Sequence, residues 1–239
     1  VSINFEELDY QQTNLGELIL RRRRMLSLEG VEVYEIKLGD SFLMSSLFTK
    51  VEIALAELAL SELRAEAFDV VVGGLGLGYT ARAALENPAV KSVTVIEALS
   101  AVIDWHRRGL VPLGEQLTSD PRCRFMHGDF FKLSHSASLD PETPGRRFHA
   151  ILLDIDHSPQ SLLDPCHRSF YEAAGLRRMA THLHPGGVFG MWSDDPPEEG
   201  FLKALDEAFG ESRAHIVPFH NPLLDCDAAS TVYVARTEA

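Results

Sequence analysis

The sequence predicts an α/β protein with a mostly parallel sheet, an antiparallel C-terminal hairpin and a small N-terminal β segment. Three observations carry this. From Phe68 onward, short apolar runs alternate with helical stretches, the pattern of parallel strands covered on both faces. The run Asp69-Val70-Val71-Val72 passes straight into Gly73-Gly74 and then into a helix. The last two apolar runs, near Ala214 to Phe219 and Ser230 to Ala235, pair at the end of the chain, which marks a hairpin at the sheet edge.

The elements follow in order. Leu15 to Leu20 and Val31 to Leu38 read as strands and Gly39-Asp40 as a turn, so residues 1–50 are expected to form a small antiparallel lid. The stretch VEIALAELALSEL, residues 51–63, is apolar on nearly every side except at Glu52, Glu57 and Glu62. Such a helix is buried between two surfaces. It opens a second unit, residues 51–239, a Rossmann-like domain. Helices are expected from about Tyr79 to Glu86 (stopped by Asn87-Pro88), from Ser100 to Arg108, around Ser169 to Leu183 and near Gly200 to Phe209. Strands are expected at Ser92 to Glu97, Cys123 to His127, Ala150 to Leu153 and Val188 to Trp192, the last after a Pro185-Gly186-Gly187 turn. Leu133 to Arg147 is polar and rich in Ser, Pro and Gly, which predicts a surface loop.

Composition narrows the function. The chain has 239 residues and is 45% hydrophobic, enough for a real core. Lys plus Arg is 22 against 35 Asp plus Glu, a formal charge of -13. Such a surface repels nucleic acid and anionic lipid. The one basic run, Arg21 to Arg24, reads as a strand end or turn that pairs with the acidic excess. Cys123, Cys166 and Cys226 are widely separated, which argues against a structural zinc site and suits a reducing compartment. His127, His149 and His220 have no ligand-like spacing, so no metal site is assigned to them. No window approaches about 18 apolar residues and no charged-then-apolar leader opens the chain, so a cytoplasmic location away from membranes is expected.

Open α/β sheets bind ligands beyond the carboxyl ends of their strands. Gly73-Gly74-Leu75-Gly76-Leu77-Gly78 stands at one such end, with Gly74, Gly76 and Gly78 in a G-x-G-x-G pattern. Glycines there let backbone approach a ligand closely, and the helix that follows offers free N–H groups. Tyr79, at its start, is placed either over the ligand or against the lid. Glu97, followed by Ala98, ends the second strand about twenty residues on, where a carboxylate can accept both hydroxyls of a ribose. Gly128-Asp129 ends the third strand. Asp129 could receive the amino group of adenine, with Phe130 or Phe131 against the ring. A structural turn, a surface glutamate and a self-capping aspartate would explain each feature singly; three in series on one sheet edge point to adenosine. Gly76-x-Gly78-x-x-Ala81 also satisfies the dinucleotide form used for NAD. Against NAD, the second half of the domain does not repeat the glycine turn.

The run from Val70 to Glu97 resembles the spermidine synthase (polyamine aminopropyltransferase) family, a branch of the class I S-adenosylmethionine-dependent methyltransferase fold. Against that family's G-G-G-D-G-G turn, R-E-V-L, H-P-S-V and V-E-I-D stand Gly74 to Tyr79, Arg82 to Leu85, Asn87 to Val90 and Ile96 to Leu99, without a gap. Gly128-Asp129 is similar to the family's Gly-Asp, and Phe148 to Asp154 to its fourth strand. The N-terminal strands followed by Glu52 in a helix match its β-rich N-terminal part. The resemblance implies S-adenosyl-L-methionine, or its decarboxylated form, as cofactor. It implies a homo-oligomer too. Five positions depart: Leu77 replaces the turn aspartate, Leu99 replaces the aspartate of V-E-I-D, His157 aligns with the second acid after strand four, and Lys50-Val51 replaces a Tyr-His pair. An imidazole does not replace a carboxylate that pairs with an ammonium.

The chemistry then rests on Asp154, Asp156 and His157, any of which could take a proton from a nucleophile held in line with the sulfonium. The leading expectation is methyl transfer to a small acceptor, an amine among the candidates. Aminopropyl transfer from the decarboxylated cofactor is the enzymatic alternative, and a nucleoside-binding protein without catalysis is the other. Leu77 and Leu99 favour the last, because both remove polar groups from the site. Asp194 and Asp195 follow the fifth strand beside Trp192. With Asp154 they occupy positions where magnesium-dependent catechol-type methyltransferases carry acids.

Overall fold

The computed structural model describes residues 4–64 and 66–238. Two sheets are present. The first is an antiparallel meander of β1 (Phe5–Thr13), β2 (Gly16–Met25), β3 (Val31–Leu38) and β4 (Ser41–Ser45). The strands expected at 15–20 and 31–38 are its two central members. The outer two carry little apolar periodicity: β1 reads FEELDYQQT.

The run Arg21 to Arg24 forms the end of β2, as one of the two expectations had it, and is not a turn. Three of its four charges are matched by acids. Arg21 and Arg23 reach the buried Glu35 of β3 at 2.5 and 2.7 Å, and Arg22 reaches Glu6 of β1 at 2.5 Å. Leu18, Leu20, Val33 and Ile36 bury the other part of the meander completely or nearly so. Trp105, itself buried, donates its indole N–H to Asp9 of β1 at 2.6 Å, which ties the outer strand to the main domain.

The main sheet has seven strands: β5 (Phe68–Gly73), β6 (Val90–Glu97), β7 (Cys123–His127), β8 (Phe148–Leu153), β9 (Leu183–Ser193), β10 (Glu211–Asn221) and β11 (Cys226–Arg236), in the order β10-β11-β9-β8-β5-β6-β7. Strands β5 to β9 run parallel. The expected hairpin β10–β11 adds antiparallel to β9. Alternation along each strand feeds two cores. Val70, Val72, Ala150 and Leu152 face one, and Val71, Ile151 and Leu153 face the other, as a period of two requires.

Helices cover both faces. Helix α1 (Lys50–Ser61) buries Val51, Leu55, Ala56, Ala59 and Leu60 against the sheet. It lies so close that a Cβ on Gly190 of β9 would sit 2.9 Å from Leu55. Next come α2 (Tyr79–Glu86), α3 (Ser100–Arg107), α4 (Gly114–Ser119), α5 (Phe130–Ser134), α6 (Ala173–Ala180) and α7 (Glu199–Phe209).

Two expectations are corrected. The helix expected at 169–183 divides into a 3-10 turn, Pro165–Phe170, and α6. Gly175 explains the tight join, since a Cβ there would stand 2.2 Å from the carbonyl of Ser169. Pro185-Gly186-Gly187 does not precede the fifth strand but bulges within it. Phe148 pairs with Leu183 and Ala150 with Val188, which leaves extra residues around Gly186. The expected surface loop 133–147 begins in the last residues of α5 and runs on without helix or strand; Leu139, fully buried, and Asp140, bound to Arg124 and Arg146, anchor it.

Glu35 joins two cations at the centre of the meander. We predict that Glu35→Ala, which leaves both guanidinium groups without that partner, destabilises the protein by about 2 kcal/mol. Thermal denaturation would register this as a fall of several degrees in Tm; an unchanged Tm would show the pairs to be energetically neutral.

Candidate active site

The strand order reverses between β5 and β8: β6 and β7 continue on one side of β5, while β9 lies beyond β8 on the other. A cavity of about 760 Å3 opens at the carboxyl ends of these strands and runs beneath the β1–β2 turn. Its floor is the glycine turn. Gly74, Gly76 and Gly78 all have positive φ, at 94°, 47° and 94°. At Gly74 the demand is absolute, because a Cβ would lie 2.2 Å from the carbonyl oxygen of Asp154. A Cβ at Gly76 would lie 2.9 Å from Sδ of Met44, which descends from the lid. The same sulfur accepts the Leu77 N–H at 3.1 Å.

His106 of α3 braces this turn from behind. It is wholly buried, and its Nε2 lies 2.9 Å from the Gly76 carbonyl. Burial pulls its pKa down to about 4, so the ring is neutral and Nε2–H donates. Nδ1 finds no partner among the described residues.

The carboxylates line the cavity in sequence. Glu97, buried at the end of β6, takes the Leu75 N–H on one oxygen at 2.9 Å and the Leu99 N–H on the other at 2.7 Å. Burial raises its pKa against the pull of these N–H donors. Each oxygen keeps a lone pair for a ligand hydroxyl. Ala98 and Gly128 line the wall beside it. Asp129 caps α5 by accepting the Lys132 N–H at 3.1 Å and pairs with the Lys132 ammonium at 3.0 Å. Burial alone would push its pKa up, but the hydrogen bonds and charge of Lys132 hold it below the ordinary value. Phe130 is almost fully buried under the cavity floor, against Gly73. Phe131 stands beside it, edge-on.

Asp154 extends from the end of β8 into the cavity wall. Its Oδ2 accepts the Thr80 hydroxyl at 2.7 Å. Desolvation raises its pKa to about 6 despite that hydrogen bond. Glu52 of α1 lines the same end, raised to about 8 by burial first and then by the charges of Asp154 and Asp194. Trp192 closes this end.

Other residues singled out in the sequence stand elsewhere. Asp156 is buried and turned away from the cavity: it accepts from the Leu163 N–H at 2.7 Å, the Tyr171 hydroxyl at 2.7 Å and His167 Nδ1 at 2.9 Å. His157 packs edge-on to Trp192 and its carbonyl accepts the Asp194 N–H. Neither lines the cavity. Gly78 and Tyr79 do not line it either. Gly78 faces Leu117 and His106, and the half-buried Tyr79 packs against the core. Asp194 and Asp195 are exposed, and among the described residues no cluster of His, Cys, Asp and Glu could hold a metal ion. Lys50 donates its ammonium to the Pro218 carbonyl at 2.6 Å. The sequence marks Glu52 as a polar break in an apolar helix and as a match to the N-terminal part of the family it resembles, but not as a site residue, and it gives Thr80, His106 and His167 no role. No spacing links these residues; the fold alone gathers them.

The arrangement can hold a nucleoside. The cavity is large enough, Glu97 and Asp129 are spaced along adjacent strand ends, and bare glycine backbone faces the space between them and Asp154. The architecture is a Rossmann-like α/β fold similar to those of solved spermidine synthases and of a methyltransferase-like protein. The spermidine synthase from Thermotoga maritima superposes with a TM-score of 0.71 at 14% identity, covering 96% of this chain and 72% of that one. A spermidine synthase in complex with the transition state analogue AdoDATO gives 0.73 at 16% identity, covering 96% and 73%. Human methyltransferase-like protein 13, in complex with SAH, gives 0.52 at 17% identity, covering 79% of each chain. No family model and no curated protein sequence matches. No helix among the described residues is long and apolar enough to cross a membrane.

The pKa of His106 lies below its ordinary value of 6.5. Its contribution to stability is therefore complete above about pH 6.5 and lost as pH falls toward 4. The predicted loss is about 2–3 kcal/mol. The Tm of the unaltered protein should fall more steeply with acid than that of His106→Phe, which starts lower for want of the Gly76 hydrogen bond. Parallel Tm curves against pH would refute the assignment.

Proposed function

We propose that this protein is an S-adenosylmethionine-dependent transferase that moves a methyl group to a small acceptor. The observation that carries the reading is the placement of Asp154 on the cavity wall beside the glycine turn, with one carboxylate oxygen held by the Thr80 hydroxyl. Glu97 would hold the ribose hydroxyls, Asp129 the amino group of the base, and the backbone of Gly74 and Gly76 the part between base and sulfur. A bound sulfonium supplies an electrophilic carbon and a neutral thioether leaving group.

Asp154 is the general base in this reading. The Thr80 hydroxyl fixes Oδ2, which leaves Oδ1 to receive the acceptor's proton. A carboxyl near pH 6 is a useful base at neutral pH, whereas an ordinary carboxylate is a weak one. Glu52 keeps its proton more readily and can donate a hydrogen bond across the pair. The lid residues Gln11 to Leu15 and Met44 cover the cavity without filling it, and Asp154 stands on its wall; a covered cleft with that carboxylate facing it supports catalysis over a protein that only binds the nucleoside.

Aminopropyl transfer from the decarboxylated cofactor is the second reading. The Glu52–Asp154 pair favours it, since two carboxyls suit an amine. Leu77 counts against it: the side chain is fully buried and offers no carboxylate to the ligand.

Calorimetric titration with S-adenosylmethionine, its decarboxylated form and methylthioadenosine separates the readings. Tighter binding of the intact cofactor is expected. Preference for the decarboxylated form would move the assignment to aminopropyl transfer, and binding of none would end the cofactor reading. With an acceptor in hand, Asp154→Asn should lower kcat by about 100-fold or more while leaving cofactor affinity within a few-fold. The rate should fall with acid through an apparent pKa between about 6 and 8, because protonation removes the base. A flat profile across this range would remove Asp154 from the role.

A further inference from the structure

At the far end of the cavity from Asp154, His167 stands on the 3-10 turn Pro165–Phe170. Its ring stacks on Phe131 with centroids 3.7 Å apart and planes 21° from parallel. Its Nδ1 lies 2.9 Å from both oxygens of Asp156. Asp156 has no exposed side-chain surface, and it is itself held by the Tyr171 hydroxyl and the Leu163 N–H.

This network decides which nitrogen carries the proton. A carboxylate that already accepts two hydrogen bonds can only accept a third, so Nδ1 must be the N–H donor. In the neutral ring Nε2 is then a lone-pair acceptor. It has no hydrogen-bond partner among the described residues. One face of the ring is covered by Phe131 and Nδ1 is engaged, so Nε2 is the polar atom the ring has left for the cavity it lines.

We propose that His167 is a base-reading residue: together with Asp129 it selects a nucleoside whose base bears an exocyclic amino group, and rejects the 6-oxo counterpart. The inference rests on the nucleoside reading given above. Its further content is that two acceptors bound the same end of the cavity. Lys132, the cation at that end, is engaged by Asp129 and lies in solvent, with 85% of its side chain exposed. An amino group brings two N–H donors to two acceptors. A 6-oxo group brings lone pairs to them, and a buried acceptor left facing an acceptor is costly. Asp156 and Tyr171 act through His167 as positioning residues.

The test compares methylthioadenosine, its 6-oxo (inosine) counterpart and its 6-unsubstituted purine counterpart by calorimetry, on the unaltered protein and on His167→Phe. Phenylalanine keeps the stack on Phe131 and removes Nε2. The unaltered protein should prefer the 6-amino ligand over the 6-oxo ligand by at least about tenfold. In the variant that ratio should shrink by about tenfold, while affinity for the 6-unsubstituted ligand changes by less than about threefold. An unchanged ratio, or a preference for the 6-oxo ligand, overturns the inference and leaves the nucleoside reading standing. Binding of none of the three by the unaltered protein overturns both. Imidazole 15N shifts of the unaltered protein give a readout independent of the variant's folding. Nδ1 should be the protonated nitrogen, and the Nε2 resonance should move on addition of the 6-amino ligand but not of the 6-unsubstituted one. Protonation at Nε2 in the free protein would overturn the proposal.

Discussion

Strands β5 and β8 lie side by side, and the chain turns outward in opposite directions after each. The backbone of Gly74 therefore passes directly over the carbonyl of Asp154, with 2.2 Å where a Cβ would stand. Everything chemical in the molecule follows from that crossing. It presses the glycine turn against the base of the cavity, aims Asp154 along the wall, and brings Thr80 of α2 within hydrogen-bonding reach of it. Neighbouring register then sets the rest, because Glu97 and Asp129 follow the ends of the next two parallel strands.

The lid is held by few but specific contacts. Trp105 fastens β1 through Asp9, and Met44 covers the turn at Gly76 and Leu77. Where the spermidine synthase family carries an aspartate, this chain buries Leu77 in the core. The exchange removes a charge from the floor of the cavity and adds packing beneath it. The neutral, buried His106 completes the same theme: its N–H secures the Gly76 carbonyl without placing a cation under the site.

The alternation of Val70, Val71 and Val72, and the acids at strand ends, made the main sheet and the carboxylates that line the cavity legible in the sequence. They are local signals: period two for the strands, glycine for positive φ, carboxylates at fixed places after apolar runs. The outer strands of the meander gave no such signal, because β1 is a polar edge whose partner faces are set by β2. The 3-10 turn before α6 escaped because Gly175 sits where only tertiary crowding asks for it. Asp156 illustrates the limit for the site. Its position two residues after Asp154 suggested a shared role, yet it points to the opposite side and meets His167 and Tyr171, neither of which any spacing rule connects to it. Glu52 illustrates the reverse, a residue far away in sequence that the packing of α1 carries to Asp154.

Asp129, Asp154 and Glu52 are chemically alike and physically distinct. Lys132 and a helix N–H keep Asp129 ionised. Burial raises Asp154 and Glu52, and the charge of Asp154 makes ionisation of Glu52 harder still. The cavity is thus divided into an end where Lys132 keeps a carboxylate ionised and an end where burial favours a retained proton. A cationic group entering the second end would change its state. It would stabilise both carboxylates, draw their pKa values back toward the ordinary range and release the proton they retain. Charge at that end is consequently set by occupancy, whereas charge at the other is set by the fold.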